Sequence, residues 1–280
     1  MPSINQLVNY NLATSVDSRG GQVNQRNLFF YGNRGSYSSG SATWNDLSGN
    51  GNNANVSGST LVPTGSLGYI FNGINNSLFW ANGGFTTGSC IDGGFTIQMT
   101  MQPDPADVLT SPYNTTALWN NISTNGPSGS GFSAIYFNDG QAGGGSPGPT
   151  QGFQWNVDGL NNYRSFYTYG ADELIQGTRN VAWAFEPDTV GLTGSMQWNY
   201  YIPQFQAAPY TYGNNVAFNG GITPTVNFGT AVYTQIPLYP TWQYYQFKGI
   251  VRDILIYNRA LSQEEIYKNY LALDAINASY

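Results

Sequence analysis

The chain contains no histidine and a single cysteine, Cys90, among its 280 residues. A serine–histidine relay therefore cannot be built, and thiol chemistry at Cys90 would lack its usual imidazole base. One cysteine also excludes an intrachain disulfide. Charge is scarce as well: charged residues make up 9% of the chain, nine basic against fifteen acidic, for a formal net charge of −6. Lysine occurs only as Lys248 and Lys268. Without a basic patch, a nucleic acid or an anionic membrane surface would lack its main attractive force, and neither is expected as a partner. No apolar run approaches the roughly 20 residues needed to cross a bilayer, so membrane insertion is not expected. The opening Met1-Pro-Ser carries neither a basic nor an apolar leader segment, which leads us to expect a protein that is not secreted.

What the chain does have is 35 Gly, 14 Pro and 15% aromatic residues. Many short strands joined by Gly, Asn and Ser turns would give this composition. The 21 Tyr, 15 Phe and 7 Trp supply enough apolar area to offset the entropy of ordering the chain, so disorder is excluded. Readable strands are Asn27 to Tyr31, Tyr69 to Phe71, Phe79 to Trp80, Phe95 to Met101, Ala117 to Ile122, Phe132 to Phe137, Tyr163 to Tyr169, Val181 to Phe185, Met196 to Ile202 and Gln243 to Phe247, with Ile250 to Tyr257 closing the series. Along Phe95 to Met101 the period is two. Pro103 to Thr116 and Pro203 to Thr241, rich in turn-forming residues, read as loop. With about twelve to fourteen strands and no break in composition, one all-β, two-sheet antiparallel sandwich is expected over residues 27–280, preceded by an N-terminal arm at residues 1–26.

The closing stretch, Phe247 to Tyr270, is the most informative. Its strand is apolar on both faces, with Ile250, Ile254 and Ile256 on one and Val251, Leu255 and Tyr257 on the other, which describes a buried central strand. Ser262 and Glu265 are spaced as a capping box, and Leu261 and Ile266 as a hydrophobic staple, so a short helix should follow. Trp44, Phe71, Ile254, Ile256 and Tyr257 are expected in the core.

Near the front, Trp44 to Ala54 reads W-N-D-L-S-G-N-G-N-N-A. Gly49 and Gly51 permit positive φ, Asn50 and Asn52 can bond their own backbone, and Asp46 or Ser48 can cap the turn. Asp46, Ser48, Asn50 and Asn52 also alternate like oxygen ligands of calcium, although Ser57 stands where the closing glutamate of such a loop would be. No cofactor is expected, with calcium at these four residues as the alternative.

Three segments, Trp44 to Ala54, Gly68 to Leu78 (G-Y-I-F-N-G-I-N-N-S-L) and the closing I-Y-N-R-A-L-S-Q-E-E-I, together resemble the laminin-G-like jelly rolls of the concanavalin A-like lectin superfamily. The resemblance implies a jelly roll with a short C-terminal helix, in which the strand at Asn27 pairs with the closing strand. Asn27 to Ala54 is also similar to the opening of laminin-G-like proteins of tailed phages. That implies a non-enzymatic virion surface protein, made in the host cytoplasm, which decorates a capsid or tail and touches host glycans. Its partners would be other virion proteins and further copies of itself. A departure is Tyr31-Gly32, where such openings usually carry Asp-Ala.

Two other functions are weighed against this one. A soluble lectin would hold sugars on aromatic faces flanked by amides, and Trp119, Trp155, Tyr210, Tyr212, Trp242 and Tyr244 stand in or beside the expected loops; each could equally be packed core. A glycoside hydrolase would need two carboxyl groups across the scissile bond. The β-glucanase pattern E-x-D-x-x-E is absent; Glu264 and Glu265 fall in the first turn of the expected helix, where they suit its dipole, which leaves a pair from Asp172, Glu173, Glu186 and Asp188. Solvated loop acids are the simpler explanation of that group.

Overall fold

The structure, a computed structural model, describes residues 23–65, 67–80, 94–104, 113–120, 132–139, 150–157, 164–169, 178–187, 193–201, 211–217, 226–228 and 243–278. Among these, two large sheets and one helix make a jelly-roll-like sandwich, the expected all-β class. In chain order the strands are β1 (Leu28–Gly32), β2 (Thr43–Trp44), β3 (Ala54–Ser57), β4 (Val62–Pro63), β5 (Tyr69–Asn72), β6 (Ser77–Trp80), β7 (Phe95–Pro103), β8 (Tyr113–Asn120) and β9 (Phe132–Asp139). They continue with β10 (Thr150–Val157), β11 (Arg164–Tyr169), β12 (Arg179–Pro187), β13 (Thr193–Tyr201), β14 (Thr211–Ala217), β15 (Val226–Phe228), β16 (Gln243–Gln246) and β17 (Lys248–Tyr257), before helix α1 (Gln263–Ala278).

The first sheet runs β14-β13-β12-β7-β17-β5-β4, with β1 also on β17; the second runs β11-β10-β9-β8-β15-β6-β3-β2, with β16 also on β8. All pairings are antiparallel except β16 with β8. Strands β14 and β15 lie inside Pro203 to Thr241, and β8 begins at Tyr113, so both stretches read as loop contain sheet. Their Asn and Gly residues are poor strand formers, and ladder partners, on both sides of β8 and β15 and on one side of β14, supply what local preference does not.

Strand β17 is central, as its sequence indicates. One edge pairs with β7 along its length, while the other pairs first with β5 and then with β1. A bulge opposes Val251 to Met101 and Asp253 to Thr100, leaving Arg252 as the extra residue. One inserted residue reverses the faces beyond it. Consequently Val251, Ile254 and Ile256 share the inner face, and Ile250 belongs to the outer one with Leu255 and Tyr257. The expected assignment of Ile250 and Val251 is thus exchanged.

Between the sheets the core is aromatic. Phe30 of the first sheet meets Trp80 of the second with ring centroids 5.0 Å apart, and Trp44 meets Tyr69 at 5.6 Å, both edge to face. Trp44, Phe71, Ile254, Ile256 and Tyr257 are all fully buried, as expected. Packing around β1 is tight enough to require glycine at position 32: a Cβ there would stand 2.7 Å from the Phe30 ring and 2.9 Å from Trp44 Nε1. This accounts for the glycine of the Tyr31-Gly32 departure.

Helix α1 covers the outer face of the first sheet. Ile266, Asn269, Leu273 and Ile276, spaced by three and four, form its buried stripe. The three apolar members pack with Leu28, Tyr31, Ala182, Ala184, Leu255 and Tyr257, each contributing about 1.5–3 kcal/mol through burial. The capping box is formed: Glu265 N donates to Ser262 Oγ at 3.3 Å and Ser262 N to Glu265 Oε2 at 2.9 Å. Leu261 and Ile266, the staple pair, are both buried in this cluster. Val23, from the segment read as an arm, joins the same cluster.

Candidate functional site

Polar residues collect in three places, and their surroundings decide what each can do. The first is the turn after β2. Asp46 Oδ1 accepts from Tyr31 N at 3.0 Å and Ser48 N at 2.8 Å, while Oδ2 accepts from Ser48 Oγ at 2.7 Å and Asn52 N at 2.9 Å. Asn50 and Asn52 turn their amide nitrogens onto the Leu28 and Phe29 carbonyls, at 2.6 and 2.8 Å. Gly49 and Gly51 take φ of +85° and +75°, which only glycine adopts readily. The four residues considered for calcium are therefore brought together, with hydrogen-bond donors directed at both oxygens of Asp46. This arrangement staples the turn to β1.

The second place lies beneath α1. Thr96, Gln98 and Thr100 form the polar face of β7, and all three are buried. Gln98 Nε2 donates to Asn180 Oδ1 at 2.7 Å and to the Ile266 carbonyl at 3.0 Å; its Oε1 accepts from Asn269 Nδ2 at 3.0 Å. Asn180 Nδ2 donates to Thr100 Oγ1, and Asn269 Nδ2 to the Tyr257 hydroxyl, which donates onward to the Asn24 carbonyl. Burial pushes the Tyr257 phenol well up from its ordinary value, despite the Asn269 bond. At the rim, Arg259 grips Glu265 through two bonds of 2.7 and 2.9 Å, and Asn24 Nδ2 adds a third at 2.8 Å. Burial opposes the Glu265 charge, but Arg259, the Ser262 N–H and Asn24 outweigh it and hold the carboxyl at about 2. With its members bonded to one another, this network fixes the helix on the sheet and offers no reactive group.

The third place is the second sheet. Its strands carry amide, hydroxyl and aromatic residues, with Asp139 and Arg164 their only charged members among the described residues. Four of the six aromatic candidates fall within strands: Trp119 in β8 and Tyr244 in β16, both inside stretches expected as strand, Trp155 in β10, and Tyr212 in β14 of the other sheet. Tyr210 and Trp242 lie outside the described residues. Trp119 and Trp155 both oppose Ala134 of β9, so they share one row and one face. Through Phe228 that row continues to Leu78, which is fully buried. Tyr244 is at a different register position, opposite Thr115. Of the clustered acids, Glu186 sits near the end of β12; Asp172, Glu173 and Asp188 lie outside the described residues, as does Cys90.

No protein-family model matches this chain, and no curated protein matches it. Solved structures do share the fold. Trypanosoma rangeli sialidase bound to 2,3-difluoro-KDN aligns with 94% of this chain and 36% of its own, at 19% identity and a TM-score of 0.54. The binding domain of botulinum neurotoxin serotype D aligns with 89% of this chain and 52% of its own, at 14% identity and a TM-score of 0.53. A structure described as a receptor binding domain gives 90% and 51%, at 11% identity and 0.53. This chain spans about a third to a half of the lengths of those chains. At such identities the likeness establishes the sandwich alone. It also corrects one expectation: sialidases are enzymes that share this sandwich, so a non-enzymatic role no longer follows from the fold.

Proposed function

We propose that the chain is a glycan-directed binding domain of the laminin-G-like kind, displayed on the surface of a virus particle. The observation that carries the binding role is the second sheet, rich in amides, hydroxyls and aromatic rings and nearly free of charge. Such groups exchange hydrogen bonds with sugar hydroxyls and pack against sugar C–H surfaces. The sandwich shared with a receptor binding domain and with the binding domain of a neurotoxin supports the same reading. The virion setting draws its support from the phage-like Asn27 to Ala54 segment. It is tested by peptide mass spectrometry of purified particles from the source culture: a stoichiometric presence is expected, and absence from particles with free protein in the lysate would leave a soluble lectin.

A glycoside hydrolase is the second reading, favoured by the sialidase neighbours. It predicts turnover of fluorogenic sialosides or other glycosides that collapses in Glu186→Gln. Turnover at background in the unaltered protein would remove it.

A further inference from the structure

Asn-Gly occurs five times in the chain, and two of these steps, Asn50-Gly51 and Asn72-Gly73, lie among the described residues. Their carboxamides are bonded in opposite senses. Asn50 uses its nitrogen, which donates to the Leu28 carbonyl at 2.6 Å and to Ser48 Oγ at 3.1 Å. Asn72, at the end of β5, uses its oxygen. Three consecutive backbone N–H groups, of Ile74, Asn75 and Asn76, donate to Asn72 Oδ1 at 2.9, 3.0 and 3.2 Å. Such a nest stabilises an oxygen on which negative charge develops. The bond from Ile74 N also curls the side chain back over the peptide that joins Asn72 to Gly73, toward the Gly73 nitrogen. The turn is held in this form: Asn72 N donates to Asn76 Oδ1 at 3.0 Å, and Asn76, itself buried, donates to the Ser59 carbonyl. Gly73 takes φ of +71°, and a Cβ there would stand 2.8 Å from Lys248 Cβ. Glycine is therefore required after Asn72.

We propose that Asn72 is a self-modifying site, which converts to a carboxylate when the Gly73 nitrogen attacks the Asn72 side chain. With no Cβ beside it, that nitrogen is unhindered. Water or hydroxide takes the Gly73 amide proton, the nitrogen's electron pair forms a bond to Asn72 Cγ, and the carbonyl pair moves onto Oδ1, where the three N–H groups receive it. The adduct then collapses. The Cγ–Nδ2 bond breaks and Nδ2, taking a proton from water, leaves as ammonia; its bond to Asn75 Oδ1, 2.8 Å long, is exposed to solvent. The five-membered imide left behind opens by adding water at either carbonyl, so aspartate or isoaspartate replaces asparagine and only water is consumed. The aspartate product suits the turn. A carboxylate that accepts three backbone N–H bonds is strongly favoured in its charged form, and position 72 stands opposite Lys248 in the ladder, where an opposite charge is favourable. Asn50 lacks this assistance, because the Leu28 carbonyl and Ser48 engage the group that must leave. The inference is independent of the glycan reading: it gives the turn that exposes Ile74 a negative charge that accumulates with age.

The full chain is incubated at neutral pH, folded and in guanidinium, in water enriched in oxygen-18, and peptide mass spectrometry follows both Asn-Gly steps. Only conversion during the incubation takes up the heavy label. In guanidinium the two steps lose their surroundings and should convert at similar rates. In the folded chain Asn72 is expected to convert at least about tenfold faster than Asn50, since a single donor to an oxyanion is worth more than that. The imide, short of the asparagine form by one ammonia, should be detected in the Asn72 peptide under mild acid. A folded-state ratio no higher than the ratio in guanidinium would overturn the proposal, whether both steps are fast or both are protected. Asn72→Asp, the product made directly, should keep its urea midpoint at neutral pH; a lower midpoint would show that the turn rejects a carboxylate and would overturn the fit of the product.

Discussion

The interface beneath α1 and the turn after β2 are built from the same amide side chains and use them in different ways. On the first sheet, Gln98, Asn180 and Asn269 are buried under α1 and use their amides on one another. In the turn, Asn50 and Asn52 keep solvent contact and direct theirs at the Leu28 and Phe29 carbonyls. Burial makes an amide a fastener, because any group left without a partner costs its full desolvation penalty. At the surface the same bond competes with water and counts for less. Composition alone does not distinguish the two uses; the difference comes from what the C-terminal helix covers.

The comparison breaks first at the buried amides. Replacing Gln98 with Ala removes the acceptor of one Asn269 N–H, the donor to Asn180 Oδ1 and the donor to the Ile266 carbonyl. The expected loss is about 3 kcal/mol, read as a lower urea midpoint at unchanged slope. A loss below about 1 kcal/mol would mean that water or repacking satisfies these groups, and that the network is not what holds α1.

The rim of the same interface gives a smaller effect with a characteristic pH dependence. Glu265 is held at about 2 in the folded protein, below its value of about 4.3 in an unfolded chain. Between these values the unfolded state binds more protons, so the contribution is fully present above the unfolded value and is lost as pH falls toward 2. Its size is about 1–2 kcal/mol, allowing for the partial solvent contact of the ion pair. Melting temperature against pH should therefore fall less steeply from pH 5 to pH 2 in Glu265→Gln than in the unaltered protein. Parallel curves would show that the Arg259 grip contributes nothing. Ser262→Ala, which removes only the acceptor for Glu265 N, should cost about 1 kcal/mol. An unchanged midpoint would refute the cap.

How much of this was legible depends on how local each cause is. The cap, the staple and the Gly-Asn turn are written in residues a few positions apart, and they are found where the sequence indicates. The bulge at Arg252 is not local, since an extra residue is defined only against the Met101 to Thr100 register of β7. Strand β14 was hidden because Thr-Tyr-Gly-Asn-Asn has turn-like composition, which pairing with β13 overrides, and β15 because its three residues are held only by the distant β6 and β8. Trp155 is a related case: it follows a Gly-rich segment that suggests loop, yet it lies in β10, held between β9 and β11.

The smallest expected effect sharpens the contrast most. Asn50 is exposed, and its amide donates to the Leu28 carbonyl. Asn50→Ala should cost no more than about 1 kcal/mol, because water can take over that carbonyl, whereas the groups left behind by Gln98 are shut away from solvent. A drop of about 2 kcal/mol or more in the urea midpoint would mean that the turn holds β1 as firmly as the buried amides hold α1, and the two uses of an amide would not differ in weight.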